Sequence, residues 1–263
     1  MPDLKSFIIA CLGFFIVVPS SQPAIAQIVN VAAEANQDVR EGASLKLEAS
    51  WDRYLGNSDI SLFSGTALGY YRHTRHLYLV IFKRDFNQEE QNTITDSSFQ
   101  HGRYRYHISP RLSFEIFAQN DKDTKRRLAQ RTVFGAGPRF RLFKGDEQRL
   151  FFGVAPMYEK EVYDNAGYPS EDDENYREHT RLSTYLTWSL NLEPNLDLAH
   201  VVYFQPLLQD MQDQRLLNET SLYLHFNDRF ALKLTATVSY NSEPPVGVER
   251  TDHQYEQSLV ISL

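Results

Sequence analysis

The stretch RFALKLTATVSY, Arg229 to Tyr240, decides how the rest of the chain is read. Phe230, Leu232, Leu234, Ala236, Val238 and Tyr240 alternate with Ala231, Lys233, Thr235, Thr237 and Ser239. That is the period of two of a β-strand with one apolar and one polar face. The apolar row carries an aromatic at each end and aliphatic or small residues between, the order expected of a strand that crosses a bilayer. A soluble sandwich gives the same alternation, so the flanking segments must choose.

On the N-terminal side Thr220, Leu222, Leu224 and Phe226 make a matching row, and Asn227-Asp228 turn it into the first stretch. On the C-terminal side a loop holding Pro244-Pro245 and Gly247 leads to Tyr255, Leu259, Ile261 and Leu263. Further rows start at Leu45, Ile60, Arg75, Tyr104, Leu112, Arg131, Leu150, Leu182 and Leu196. The second and third rows, to Arg72 and to Phe86, alternate too loosely for their faces to be assigned. About twelve strands result, at roughly 20 residues per strand plus connection, which suits an antiparallel up-and-down outer-membrane barrel. Longer polar connections (Asn87 to Asp96, Asn120 to Arg127, Asp164 to Tyr176, Gln209 to Gln214, Asn241 to Thr251) alternate with tight ones at Pro110, Gly145, Pro194 and Asp228. Such barrels place long loops outside and short turns in the periplasm. The first connection, at Gly56, is the exception in being short. Pro138, Pro156 and Pro206 fall inside strands, where bulges near the rims are expected to absorb them.

This parity assigns the faces. Phe226 and Phe230 fall at the periplasmic rim, Tyr240 and Tyr255 at the outer rim, and Trp51 and Trp188 near opposite rims, as aromatic girdles do. The polar rows then point inward, with Lys46, Glu48, Asp52, Arg131, Glu161, Lys233 and Glu256 as lumen-facing candidates in a wet interior of mixed sign. Lys233 is expected to pair with Glu256, and Arg131 with Glu161 if the Gly145 turn sets the register. Such pairs fill the interior and neutralise one another before they tune ion selectivity.

The N-terminus supplies the compartment. Lys5 precedes the apolar run FIIACLGFFIVV and a stretch ending Ala24-Ile25-Ala26, a secretory signal with an A-x-A cleavage site. The run is too short for a membrane helix, which needs roughly 20 residues. Residues 1–26 are therefore read as the signal, 27–41 as a periplasmic lead-in and 42–263 as the barrel. Cys11, the single cysteine, leaves with the signal, so neither disulfide nor thiol chemistry is expected. Asp3 and Lys5 leave together and the net charge stays at −7, an acidic balance that argues against a nucleic-acid partner.

The turn residues Gly56-Asn57, FAQND at Phe117 to Asp121, RTVFGAGPRFRLF at Arg131 to Phe143, YFQP at Tyr203 to Pro206 and YNSEPPVGVERTD at Tyr240 to Asp252 carry a resemblance. Together they resemble the salt-induced outer-membrane protein family, domain of unknown function 481, over nearly all of the chain after the signal. The resemblance implies an outer-membrane β-barrel and a link to salt response, and it brings no catalytic residues. One departure is the terminal Leu263, where outer-membrane strands commonly end in Phe or Trp.

No cofactor and no metal centre is expected. His179, His200 and His225 have Ser183 or Ser221 near them in sequence, but neither a G-x-S-x-G elbow nor H-E-x-x-H occurs. The acidic run Glu171 to Glu174 lacks calcium-loop spacing and reads as a solvated loop. The reading is a non-enzymatic envelope barrel, with passage of ions or small solutes among the functions the sequence allows. Its expected partners are outer-membrane lipid, lipopolysaccharide and the barrel-assembly machinery. Two alternatives stay open: an outer-membrane lipid hydrolase, and a soluble periplasmic barrel that turns its apolar rows inward around a ligand.

Overall fold

Hydrophobic alternation becomes twelve strands in the computed structural model: β1 (Gly42–Tyr54), β2 (Ile60–His73), β3 (His76–Glu89), β4 (Asn92–His107), β5 (Leu112–Asp123), β6 (Leu128–Lys144), β7 (Gln148–Tyr163), β8 (Tyr176–Glu193), β9 (Leu196–Pro206), β10 (Gln214–His225), β11 (Phe230–Asn241) and β12 (Thr251–Ser262). The structure describes residues 41–54, 60–89, 92–124, 127–163, 176–245, 248 and 250–263. The signal segment, most of the lead-in, the Gly56 turn and the Glu171 to Glu174 run lie outside them. Trp51 and Asp52 are described in backbone only.

Each strand pairs antiparallel with its sequence neighbours, and β1 pairs with β12, so the sheet closes into a barrel. The seam is short. Its ladder covers Lys46↔Ser262 to Ala49↔Leu259, extended by reciprocal Leu45–Leu263 backbone hydrogen bonds of 3.1 and 2.8 Å, whereas β1 pairs with β2 over thirteen residues.

Side-chain parity follows the pleat. Phe82, Ile116 and Phe134 on the outside are half or more exposed, and Leu47, Val80, Phe140, Leu186, Leu234 and Leu259 continue the same apolar belt. A belt of this extent far exceeds what a soluble monomer presents to water. A lipocalin-like barrel needs the reverse arrangement. Strands of 11–18 residues exceed the roughly 9–11 needed to span a bilayer.

Two expectations about the strands need correction. The segments 87–96 and 120–127, expected as long polar connections, are respectively mostly and half strand, because β3 runs to Glu89, β4 resumes at Asn92, β5 runs to Asp123 and β6 resumes at Leu128. In the second segment Asp121 and Asp123 are buried, with Asp121 3.8 Å from Arg131, so polar residues continue the ladder where the interior itself is charged. Nor do bulges absorb the prolines: register shifts occur at Asn87/Gln88, Asp121/Asp123, Leu128/Gln130, Arg141/Phe143 and Asn191/Glu193. Instead the β6–β7 ladder runs to Gly135↔Met157 and restarts at Arg139↔Gly153, omitting the segments that hold Pro138 and Pro156. Each proline lacks the N–H a ladder needs, so both losses fall in one gap. Gly137 lies inside it, where an added Cβ would stand 2.1 Å from the Val154 carbonyl oxygen. Pro206 ends β9 opposite Gln214.

The tight turns at one rim are locally specified. Ser109 Oγ accepts the N–H groups of Arg111 and Leu112 at 3.3 and 3.1 Å, and Asn227 Oδ1 accepts those of Arg229 and Phe230 at 2.9 and 3.0 Å. Residues 207–213 and 242–250 make longer connections at the opposite rim.

Candidate functional site: the charged barrel interior

The inward rows carry apolar clusters as well as charge. Leu68, Tyr70, Leu77, Leu79, Ile81 and Phe99 cluster inside β2–β4, and Tyr185, Ala199, Val201, Tyr203, Leu217 and Tyr223 inside β8–β10. β2 and β3 are apolar on both faces, which is why their alternation looks loose in sequence. Charged groups occupy the remaining interior in three sets.

The first set fills the long-loop half. Glu159, fully buried, accepts Arg131 Nη2 at 2.8 Å, Arg215 Nη1 at 3.1 Å and Arg181 Nε at 2.5 Å. Glu161 accepts Arg215 Nη2 at 3.0 Å and the Tyr163 hydroxyl at 2.7 Å, and lies 3.3 Å from Arg131 Nε. Arg181 also makes a two-pronged contact to Asp213, at 3.0 and 2.9 Å, which ties the 207–213 connection to the interior. Arginine suits this position because its planar fork satisfies two carboxylates at once.

A second set fills the short-turn half. Arg103 Nη1 and Arg105 Nε donate to Glu115 at 3.1 and 2.7 Å, Arg139 Nε lies 3.8 Å away, and the Tyr185 hydroxyl donates to the same carboxylate at 2.6 Å. Arg139 stacks on Phe151 at 3.6 Å from the ring centroid, with Arg141 at 5.7 Å. Two interior glycines make room for this layer: a Cβ at Gly153 would come within 2.3 Å of the Tyr185 ring, and one at Gly135 within 2.3 Å of the Phe117 ring. Between the first two sets lies a cavity of about 20 Å³, bordered by His101, Arg103, Gln119, Arg131, Tyr203 and Gln205 among others. A single water molecule fills such a volume.

The third set lies on the side of β11, β12, β1 and β3. Lys233 donates to Glu48 at 3.0 Å, and Lys83 to Glu256 at 3.4 Å with Asp85 at 3.8 Å. Here the interior is wetter: Lys83, Asp85 and Glu256 side chains retain 21–25% exposure, against 0–2% for Glu159, Glu161 and Arg131. A hollow of about 470 Å³ is bordered by β1–β4 residues that include Glu48, Thr66, Lys83 and Phe99.

Among the expected residues, Arg131 and Glu161 are register partners and meet. Lys233 and Glu256 do not: Lys233 stands opposite Ser258 and Glu256 opposite Thr235, so each takes a partner from another strand. Lys46 shares the parity of Glu48 and is half-buried. Phe226 and Phe230 are exposed at the short-turn rim, and Trp188 Nε1 donates to Gln148 Oε1 at 3.3 Å toward that rim. The backbone of Trp51, opposite Phe63, lies toward the other. Tyr240 pairs with Thr251, but Tyr255 sits opposite Ala236, four residues farther from the long-loop rim, because β12 begins only at Thr251. Glu115, Glu159, Arg103, Arg105, Arg181 and Arg215 were not anticipated as site residues. The signal for three of them is charge repeated at i and i+2, as in Arg103/Arg105 and Glu159/Glu161.

The hydrolase candidates are engaged apart from one another. Ser221 Oγ lies 3.1 Å from Thr235 Oγ1, His225 Nε2 lies 2.9 Å from Asp197, and His200 Nδ1 lies 2.9 Å from Thr220 Oγ1.

Comparison with solved structures shows a shared fold. The COG4313 outer membrane channel from Pseudomonas putida F1 is similar at 11% identity with a TM-score of 0.51, over 90% of this chain and 100% of that one. The NanC porin is similar at 11% identity and a TM-score of 0.49, over 83% and 97% of the two chains. The translocator domain of the autotransporter NalP from Neisseria meningitidis matches at 11% identity and 0.48, over 87% and 91%. No curated protein matches the sequence. The family model described as "Protein of unknown function, DUF481" matches residues 47–263, and with this barrel across the matched region the chain belongs to that family.

Proposed function

We propose that this chain is a non-enzymatic outer-membrane β-barrel that passes ions or small solutes along one side of its interior. The observation that carries the reading is the contrast in water access. Lys83, Asp85 and Glu256 remain partly exposed, while the arginine–carboxylate sets across β4–β10 are almost fully buried. A route confined to one side is narrow, which favours small solutes over polymers. The outward apolar belt supports residence in the outer membrane, in contact with lipid and lipopolysaccharide, after export by the 1–26 signal and insertion by the barrel-assembly machinery.

Planar-bilayer recording tests passage. Single-channel steps are expected, with the cation-to-anion preference shifted toward cations by Lys83→Glu, because that change reverses one charge on the wetter side. Absence of current above the protein-free control removes passage and leaves the barrel. Fractionation with heat-modifiable gel mobility tests location, and a soluble periplasmic pool would overturn it. The link to salt response rests on the family resemblance. It predicts transcript or protein levels that rise with sodium chloride in the growth medium.

A further inference from the structure

Toward the long-loop rim, the outward face of β3, β4 and β5 presents four register rows whose chemistry changes in order. Arg84, Ser98 and Lys122 stand level in the first, and Phe82, Gln100 and Asn120 in the second. The third is Val80, Gly102 and Ala118, and the fourth Tyr78, Tyr104 and Ile116. The alternate residues Ile81, Phe99, Arg103 and Glu115 are buried inside the barrel, whereas Val80, Phe82 and Ile116 are 43–55% exposed. Descending from the rim, this strip of wall is cationic, then carries amides, then is apolar with small residues at its centre. Open space stands above Gly102, where nothing lies within 4 Å of the position a Cβ would take.

The cationic row is a clamped pair. Asp96, on the strand between, lies 2.5 Å from Arg84 Nη2 through one oxygen and accepts Lys122 Nζ at 3.1 Å through the other. Thr124 Oγ1 accepts the Asp96 backbone N–H at 2.9 Å, which holds the carboxylate in place. Two cations thus share one carboxylate, and their side chains remain 57% and 43% exposed. Lys160 of β7 differs, because Glu178 matches it one to one at 3.0 Å.

A charge bordering the apolar belt sits at headgroup level, since hydrocarbon would exclude it. The long-loop side faces outward from the cell, where the leaflet is lipopolysaccharide. Its lipid A carries phosphates on a sugar backbone, with acyl chains joined through amides and esters. Arginine and lysine together suit a phosphate, and basic clusters at headgroup level recognise anionic lipids.

We propose that the outward face of β3–β5 binds one lipopolysaccharide molecule through its lipid A. A phosphate meets Arg84 and Lys122, the amide linkages lie beside Gln100 and Asn120, and an acyl chain runs over Gly102. Asp96 acts as a positioning residue for the two cations. The site rests on the outer-membrane reading above and gives it a specific lipid contact; it requires no current through the barrel.

Native mass spectrometry of the refolded full barrel in detergent tests it, with bisphosphorylated lipid A, lipid A stripped of phosphate and phosphatidylglycerol titrated in separate arms. One bisphosphorylated lipid A per barrel is expected, bound at least tenfold tighter than either other lipid. Arg84→Gln with Lys122→Gln, checked for closure by heat-modifiable mobility, should weaken it about tenfold or more, the scale of one charge-assisted hydrogen bond or above. Lys160→Gln removes a cation from the same wall and should leave the affinity within about twofold. Equal binding with and without phosphate, phosphatidylglycerol bound as tightly as lipid A, or an equal loss from Lys160→Gln overturns the site. Cell fractionation judges residence separately, so an outer-membrane barrel without phosphate-dependent binding sinks the site and spares the location.

Discussion

Replacing Glu159 by glutamine should destabilise the barrel more than any other conservative single substitution of an acidic side chain. Its carboxylate is fully buried and accepts from three arginines on three strands: Arg131 of β6, Arg181 of β8 and Arg215 of β10. Glutamine keeps the shape and one acceptor but removes the charge, leaving buried guanidinium groups short of compensation. Breaking a buried pair in this way typically costs about 3–5 kcal/mol. The lower figure corresponds to roughly a 150-fold shift in the folded-to-unfolded ratio, at about 1.4 kcal/mol per tenfold. The assay is urea unfolding of the barrel refolded in lipid vesicles, followed by tryptophan fluorescence and by the heat-modifiable gel band. Glu178→Gln is the control, because Glu178 meets Lys160 at 3.0 Å on the exposed face and should leave the midpoint unchanged. If Glu159→Gln moves the midpoint no more than Glu178→Gln does, the long-loop network is not what holds that half together.

Gly153→Ala places a methyl within 2.3 Å of the Tyr185 ring, so the ring must swing and its hydrogen bond to Glu115 is lost; overpacking of this kind costs about 1–3 kcal/mol, and the same urea assay should show the loss. Arg181→Lys removes the two-pronged grip on Asp213, so the 207–213 connection should be cut faster by external proteinase K on intact cells, with the rest of the barrel still resistant.

The architecture was legible because a two-sided environment writes a period of two into every strand that separates lipid from interior, as Leu232 to Tyr240 do. It was illegible where that contrast fails. β2 and β3 bury Leu68, Leu77 and Leu79 inside while showing Phe63, Val80 and Phe82 outside, so both faces are apolar. The end of β5 carries polar residues on both faces, Asn120 and Lys122 alternating with Asp121 and Asp123, so strand looks like loop. Parity alone places Lys233 and Glu256 in the interior, but a charged side chain there chooses its partner by three-dimensional reach: Lys233 crosses to β1 and Glu256 receives Lys83 from β3. The arginine clusters show as charges at alternate positions. Their convergence on Glu115 and Glu159 depends on barrel curvature, which no single strand encodes.

The brief seam between β1 and β12 gives the closed ring a preferred place to fail. A cylinder of paired strands cannot unravel from an edge, so its lifetime is set by whichever ladder parts first. Here that ladder spans Leu45 to Ala49 against Leu259 to Leu263, beside interfaces two to three times as long. Its amides should exchange with deuterium ahead of those in β6–β8. Pulling the chain by its two ends would load this contact directly, opening the barrel like a zipper whose slider already rests near the last teeth.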